Sequence, residues 1–279
     1  MRRALPADLP EVRQVLMAHA ATSMFALSNL NRFGAAGGHP RAMRFWLGGE
    51  AGAVTDVLGV SEEGMVFPHL PSGDWDAAAS VLRETGAKGL IGPAKAVHRL
   101  CMSCAWLVHP PLDHLEPHYH VSLDEVKMPQ TQRCELVPLS AIPRPLAEGW
   151  RADFCAEALD FPPEAAAAKG REDVAAFVAG DTHRVLKIGG QPVAMTGFNA
   201  ILPEIVQVGG VYVPPPLRRH GHARRAVALH LAEALAGGVT EAVLSAATPS
   251  AARAYEAIGF ARIGDFAMKI WPDRQKPHA

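Results

Sequence analysis

A chain of 279 residues, 49% of them hydrophobic and 20% charged, can bury one large core or two of ordinary size. Its formal net charge of -1 supplies no global field that would draw it to nucleic acid or to an anionic membrane. Four cysteines are too few for a disulfide framework, and no run reaches the ~18 apolar residues of a membrane helix. Asp8, Glu11 and Arg13 interrupt any leader-like start after Arg2 and Arg3, so the expectation is a mature chain from Met1 in a reduced, cytoplasmic setting.

The segment 5–10 leads into a helical pattern with Asp8 at the N-cap position and Leu9, Val12 and Leu16 on one face. A second helical pattern covers 94–107. It carries His98, Cys101 and Cys104 at i, i+3, i+6, and with His109 these invite a zinc reading. Small apolar cysteines on a helix are ordinarily core residues, so no metal is expected. Pro110, Pro111, Pro117 and Pro129 mark a turn-rich stretch that places His109, His114, His118 and His120 in a loop and a domain boundary at 127/128.

Beyond the boundary, 134–139 reads as a short strand and 150–159 as a helix with Phe154 and Ala158 facing in, an opening that loosely repeats the start of the chain. Cys134 and Cys155 have no partner pattern for a nucleophile and are expected to be structural. Runs 183–188 and 193–198 around Gly189-Gly190-Gln191-Pro192 suggest a hairpin. A strand over 205–213, a helix over 221–236 stopped by Gly237-Gly238, and a strand over 242–247 follow. Thr248 then stands as an N-cap with Pro249 at N1, Ala251, Tyr255 and Ile258 share a face, and Gly259 suits a left-handed C′ position. Two short strands, 260–263 and 266–271, close the list. The order predicts a mixed α/β sheet whose central strands are joined by crossover helices.

Chemistry concentrates where the strand 205–213 ends at Pro214-Pro215-Pro216. The next residues, Leu217-Arg218-Arg219-His220-Gly221-His222-Ala223-Arg224-Arg225, put four arginines and two histidines at a helix start in an otherwise neutral protein. The first turn of a helix leaves backbone N–H groups unpaired and carries partial positive charge, and Gly221 and Ala223 let that backbone approach an anion closely. A solvated basic helix start is the plainer reading of the same residues.

The pattern Arg218-x-x-Gly221-x-Ala223, after a strand ending Val211-Tyr212-Val213-Pro214, resembles the acetyl-CoA signature of the GNAT (Gcn5-related N-acetyltransferase) superfamily, Gln/Arg-x-x-Gly-x-Gly/Ala. Thr248-Pro249-Ser250-Ala251-Ala252-Arg253-Ala254-Tyr255-Glu256-Ala257-Ile258-Gly259-Phe260 is similar to the superfamily's second stretch, with Thr248 where Asn is usual. The resemblance is specific over 180–271 and weaker over 130–180. In 1–125 it rests on the opening and on Lys88-Gly89-Leu90-Ile91-Gly92-Pro93. It implies the GNAT fold, α/β with a mixed, mostly antiparallel twisted sheet and flanking helices. Two tandem copies follow: a degenerate N-terminal domain over 1–127 and a catalytic, acyl-CoA-binding domain over 128–279.

The resemblance also implies an N-acetyltransferase that passes an acetyl or other acyl group from acetyl-CoA to an amine, small molecule or peptide, by direct attack in a ternary complex. Val211, Tyr212, Val213, Arg218, Arg219, His220, Gly221, His222, Ala223, Arg224 and Thr248 become the cofactor-binding candidates. An alkyl amine with a pKa of ~10.4 must lose a proton before attack. Where family members often have a glutamate for this, the chain has Gln207, which can only orient a water, with Glu204 as a nearby carboxylate. A backbone N–H near Tyr212 or Val213 would face the thioester oxygen, and Gly209-Gly210 permits the bulge that frees it, although glycines in a strand also mark close packing. Tyr255 is the candidate general acid for the departing thiolate, against the alternative of a core tyrosine.

A non-catalytic acyl-CoA-binding or regulatory protein is the alternative function, because Gln207 and Thr248 replace the usual Glu and Asn. A different nucleotide module ranks lower, since neither Gly-x-Gly-x-x-Gly nor Gly-x-x-x-x-Gly-Lys-Ser/Thr occurs.

Overall fold

The computed structural model describes residues 1–35, 37–50, 52–106 and 108–277. The chain divides into two compact units, Met1–Glu116 together with Gly264–Ala279, and Pro117–Ile263. Its first elements are β1 (Arg2–Arg3), α1 (Leu9–Met17), α2 (Ala20–Phe33), β2 (Met43–Glu50), β3 (Ala53–Ser61), β4 (Met65–His69), α3 (Trp75–Thr85), β5 (Ala87–Pro93) and α4 (Ala94–Cys104). Then come β6 (Leu112–Ser122), β7 (Cys134–Pro138), α5 (Arg144–Leu159), α6 (Pro163–Ala179), β8 (His183–Ile188) and β9 (Gln191–Ile201). The last are β10 (Ile205–Tyr212), α7 (His222–Ala236), β11 (Glu241–Ser245), α8 (Pro249–Glu256) and β12 (Ala261–Gln275).

In the first unit β1 to β5 are neighbours in sequence order, antiparallel except for the parallel pair β4–β5. The final strand lies antiparallel to β5, from Phe266 opposite Pro93 to Gln275 opposite Ala87. Leu58, Val60, Val66, Leu82, Leu90, Val97, Leu100 and Trp271 form the core. Val12 and Leu16 are buried as the helical spacing predicts. Asp8 does not cap α1 with its side chain: its carboxylate turns back to the Leu5 N–H at 2.7 Å and to Arg2 at 2.7 and 2.8 Å. Those bonds, Arg2 first, hold the carboxyl down at about 2.

The second unit repeats the plan. A helix pair, α5 and α6, precedes antiparallel β8, β9 and β10; α7 then crosses over to β11, which runs parallel to β10. The segment of β6 from His118 to Ser122 lies antiparallel to β11, with Ser122 opposite Glu241 and His118 opposite Ser245. Each sheet is therefore completed by the strand that follows the other copy's helices in sequence: β6 closes the second unit and 264–275 closes the first.

By alternation Val206 and Val208 share one face of β10, and the register shift between Gly209 and Tyr212 turns Tyr212 to the other. Val206 and Val208 pack with Val227 and Leu231 of α7, Tyr255 of α8 and Ile258 just after it, while Tyr212 packs with Trp150, Val174, Val185 and Met195 on the side of α5 and α6.

Most second-half expectations match in kind. The hairpin turns on Gly189-Gly190, both at positive φ, and Thr248 caps α8 by accepting the Ala251 N–H at 3.2 Å. Three differ. The two closing strands are one, Ala261–Gln275, which runs on through Gly264 and Asp265. His114, His118 and His120 stand on β6, since Pro117 falls inside a strand that the proline count had marked as loop. The helical reading over 94–107 ends at Cys104, and Leu107 lies outside the described residues. Burial pushes the Cys101 and Cys104 thiols up to about 11 and 12, as expected of protonated residues in an apolar setting. Among the described residues no helix is long and apolar enough to cross a membrane, and no three His, Cys, Asp or Glu gather so as to hold a metal ion.

Candidate functional site

The parallel strands β10 and β11 pair only over Ile205–Gln207 opposite Glu241–Val243 and then part. Gln207 stands at that fork. It is 8% exposed, and its Oε1 is buried without a hydrogen-bond partner. Just beyond, β10 loses register with β9 between Gln207 and Val208 and again between Gly209 and Tyr212. Gly210 has φ +61, a conformation that side chains disfavour, so Gly209-Gly210 forms the expected bulge.

Past Tyr212 the three prolines lead through a short turn at Pro215–Leu217 into a loop with Arg219 at φ 67 and Gly221 at φ 74. Gly221 is the N-cap of α7 and offers no side-chain cap, so the first-turn N–H groups have no partner within the helix. A Cβ on Gly221 would lie 3.0 Å from Arg224 Nε. Arg224 Nε and His222 Nδ1 are buried without a partner beside these amides. Burial, with the charges of Arg225 and His220, holds the His222 imidazole below its ordinary pKa. Two other arginines have structural work: Arg218 donates to Val213 O at 2.8 Å and pairs with Glu157 at 2.6 Å, and Arg225 holds Gln130 O at 2.9 Å. Alongside, a cavity of about 270 Å³ is lined by Lys127, Gln130, Arg224, Arg225, Ala257 and Ile258.

The predicted residues of the loop, Val211 to Val213 and Arg218 to Arg224, thus come together with the bulge and the fork. Tyr255 is 7% exposed in the α7–α8 core, its ring edge-on to Phe260 with centroids 6.0 Å apart. Thr248 is engaged in capping α8. Glu204 lies at the other end of β10, exposed, its carbonyl accepting the Thr240 and Glu241 N–H groups at 2.9 Å. At ~3.3 Å per residue that is roughly 20 Å of strand from Gly210.

Four residues that the sequence did not single out, Arg151, Asp153, Asp173 and His183, gather on the side of α5 and α6. Tyr212 donates its hydroxyl to Asp153 at 3.2 Å, and burial, then Asp153, pushes that phenol up to about 12. Arg151 pairs with Asp173 at 2.6 Å, and His183 lies against Gly210 of the bulge. These contacts join positions far apart in sequence, so spacing carries no signal for them. The equivalent region of the first unit differs: β4 and β5 also part after Val66 and Leu90, but Pro68 packs at 3.4 Å from where a Cβ on Gly92 would sit, and Pro93 leads directly into α4 without a loop.

Residues 148–260 match the model of the acetyltransferase (GNAT) family. That segment is a GNAT domain. Solved structures extend the likeness of fold over the chain. A Drosophila protein aligns at TM-score 0.63 and 14% identity, covering 98% of both chains. A GCN5-related N-acetyltransferase from Sphaerobacter thermophilus aligns at 0.52 and 16%, covering 99% of this chain and 98% of the other. A tandem GNAT protein from the clavulanic acid biosynthesis pathway aligns at 0.52 and 14%, covering 96% and 97%. No curated protein matches the sequence. The GNAT fold supports acyl transfer from acyl-CoA in general, and here it is a mixed, mostly antiparallel sheet with flanking helices in two copies.

Proposed function

We propose that the protein is an N-acetyltransferase that binds acetyl-CoA or a related acyl-CoA in the second unit and passes the acyl group to an amine, small molecule or peptide. The observation that carries this reading is one arrangement: a fork between β10 and β11, a glycine bulge at its mouth, and an α7 N-terminus with no side-chain cap. The amides of His222, Ala223 and Arg224 would hold the pyrophosphate, helped by Arg224 and His222, whose unpartnered nitrogens suit an anion. The basic cavity beside them suits the nucleotide end of the cofactor. Bound acyl-CoA supplies the activated thioester.

The chain's own groups do the rest. A bulge N–H near Tyr212 or Val213 donates to the carbonyl oxygen as it gains charge. The unpartnered Oε1 of Gln207 accepts from the amine or from a water that carries its proton away, since an amide cannot take the proton itself. Tyr255 donates to the departing thiolate; a phenol of pKa ~10 stays protonated at neutral pH. The exposed Glu204, at the far end of β10, would contribute only through a chain of waters. Residues 1–127, where Pro68 packs beside Gly92 and Pro93 leads straight into α4, are assigned to stability or acceptor selection.

The reading predicts that CoA or acetyl-CoA at about 100 times its Kd stabilises the protein by ~2.7 kcal/mol, a rise in Tm of roughly 5–10 °C. ATP and NAD at equal concentration are the comparison; a shift with either and none with CoA would remove the cofactor assignment. Because Gln207 stands where a base is needed, a non-catalytic acyl-CoA-binding protein is the second reading, and release of free thiol with a panel of amines separates the two. Tyr255→Phe keeps the ring and deletes the proton donor. It is expected to lower the single-turnover rate by about 10- to 10³-fold with CoA affinity unchanged. A purely structural Tyr255 would instead leave the rate intact and cost about 1 kcal/mol of stability.

A further inference from the structure

In the register of the second sheet, His183 on β8 stands opposite Gly197 on β9, and Gly197 stands opposite Gly209 on β10. Neighbours in such a row share a face, and of these three only His183 has a side chain. Its imidazole lies across both other strands: a Cβ on Gly197 would fall 2.1 Å from Nε2, and a Cβ on Gly210 would fall 3.0 Å from it. Phe177 of α6 stacks on the ring with centroids 3.5 Å apart and planes within 11°, and Nδ1 lies 2.9 Å from Thr182 Oγ1. The residue is 1% exposed, and Nε2 has no hydrogen-bond partner.

A buried nitrogen left unpaired is a cost that an aliphatic side chain would avoid. The sheet carries that cost at the row where β10 leaves register, and it keeps glycine at the two positions where a methyl group would meet the ring. Burial, followed by the charge of Arg151, keeps the imidazole neutral, so the wedge does not charge near neutral pH. The ring thus occupies the space beside Gly210, while the Asn199 side chain occupies that beside Gly209.

We propose that His183 is a positioning residue for acyl transfer: wedged over Gly197 and against Gly210, it holds the β10 bulge open so that its backbone N–H meets the thioester oxygen. This rests on the acyl-CoA reading of the same site. A thioester oxygen held by the bulge makes acetyl-CoA bind more tightly than CoA, whereas the loop at Gly221 serves both ligands alike.

The test is calorimetric titration of the full chain with CoA and with acetyl-CoA, without an acceptor, for the wild type, His183→Ala and Gly197→Ala. Wild type is expected to favour acetyl-CoA by about 5-fold or more, the worth of one hydrogen bond. His183→Ala should keep its CoA affinity within about 2-fold and lose the preference, a change that general loosening of the fold would not confine to one ligand. Gly197→Ala displaces the ring while retaining it and should act the same way, so it carries the test if His183→Ala does not fold. Wild-type preference in a folded variant overturns the proposal, as does a wild type without preference. A wild type that binds neither ligand overturns the acyl-CoA reading itself.

Discussion

Gly221→Glu is expected to abolish binding of CoA and acetyl-CoA while the protein stays folded. Gly221 sits at φ 74 as the N-cap of α7, with the Arg224 guanidinium directly beside the position of a Cβ. A carboxylate there occupies the anion site and is attracted to the same arginine and helix start that would receive the pyrophosphate. Two like charges ~4 Å apart repel by about 4 kcal/mol near a protein surface, so a loss of affinity of at least ~100-fold is expected by titration. The positive φ is a separate effect, costing about 1–2 kcal/mol for any side chain. Gly221→Ala isolates it: the alanine variant should lose some Tm and bind CoA far better than the glutamate variant. Equal, wild-type affinity in a folded Gly221→Glu protein would place the anion site elsewhere.

Why this loop was legible in the sequence and the wall facing it was not has a physical basis. The loop is local: proline stops the strand, glycine takes the left-handed turn, and small residues open the helix start, each within a few positions. Glycines and prolines likewise mark the β8–β9 hairpin and the start of α8. Helix α6 escaped because its buried residues are Ala166, Gly170, Asp173 and Val174, small or polar ones that leave no apolar stripe; Gly170 lies so close to α5 that a Cβ would fall 2.7 Å from Glu148 O. Strand β3 escaped because its last six residues are all buried, which removes the period of two. His183 at Gly197 and Gly210 depends on sheet register, which short-range pattern does not specify. Nor does pattern tell which sheet a closing strand joins, and here each joins the unit that the residues before it do not build.

Removal of residues 264–279 is expected to unfold the first unit, although those residues directly follow the second copy in sequence. The strand 264–275 supplies the pairing partner of β5 and places Trp271, 1% exposed, in the core formed by Leu58, Val60, Leu90 and Leu100. Trp271 also donates its indole N–H to Val108 O at 2.8 Å, and Arg274 donates to Thr85 O at 3.0 Å. Truncating one large buried aromatic costs about 3–5 kcal/mol, and a domain has roughly 5–15 kcal/mol in all. Loss of Trp271, of Ala267 and of the β5 pairing together exceeds the low end of that range. Trp271→Ala alone should lower the stability of the first unit by about 3–5 kcal/mol, and the truncated chain should show collapse of amide protection confined to 1–116. The second unit, whose sheet is closed by β6, should retain its protection and its CoA-dependent stabilisation. Undiminished protection of β5 in the truncated chain would show that the first sheet stands without its borrowed strand.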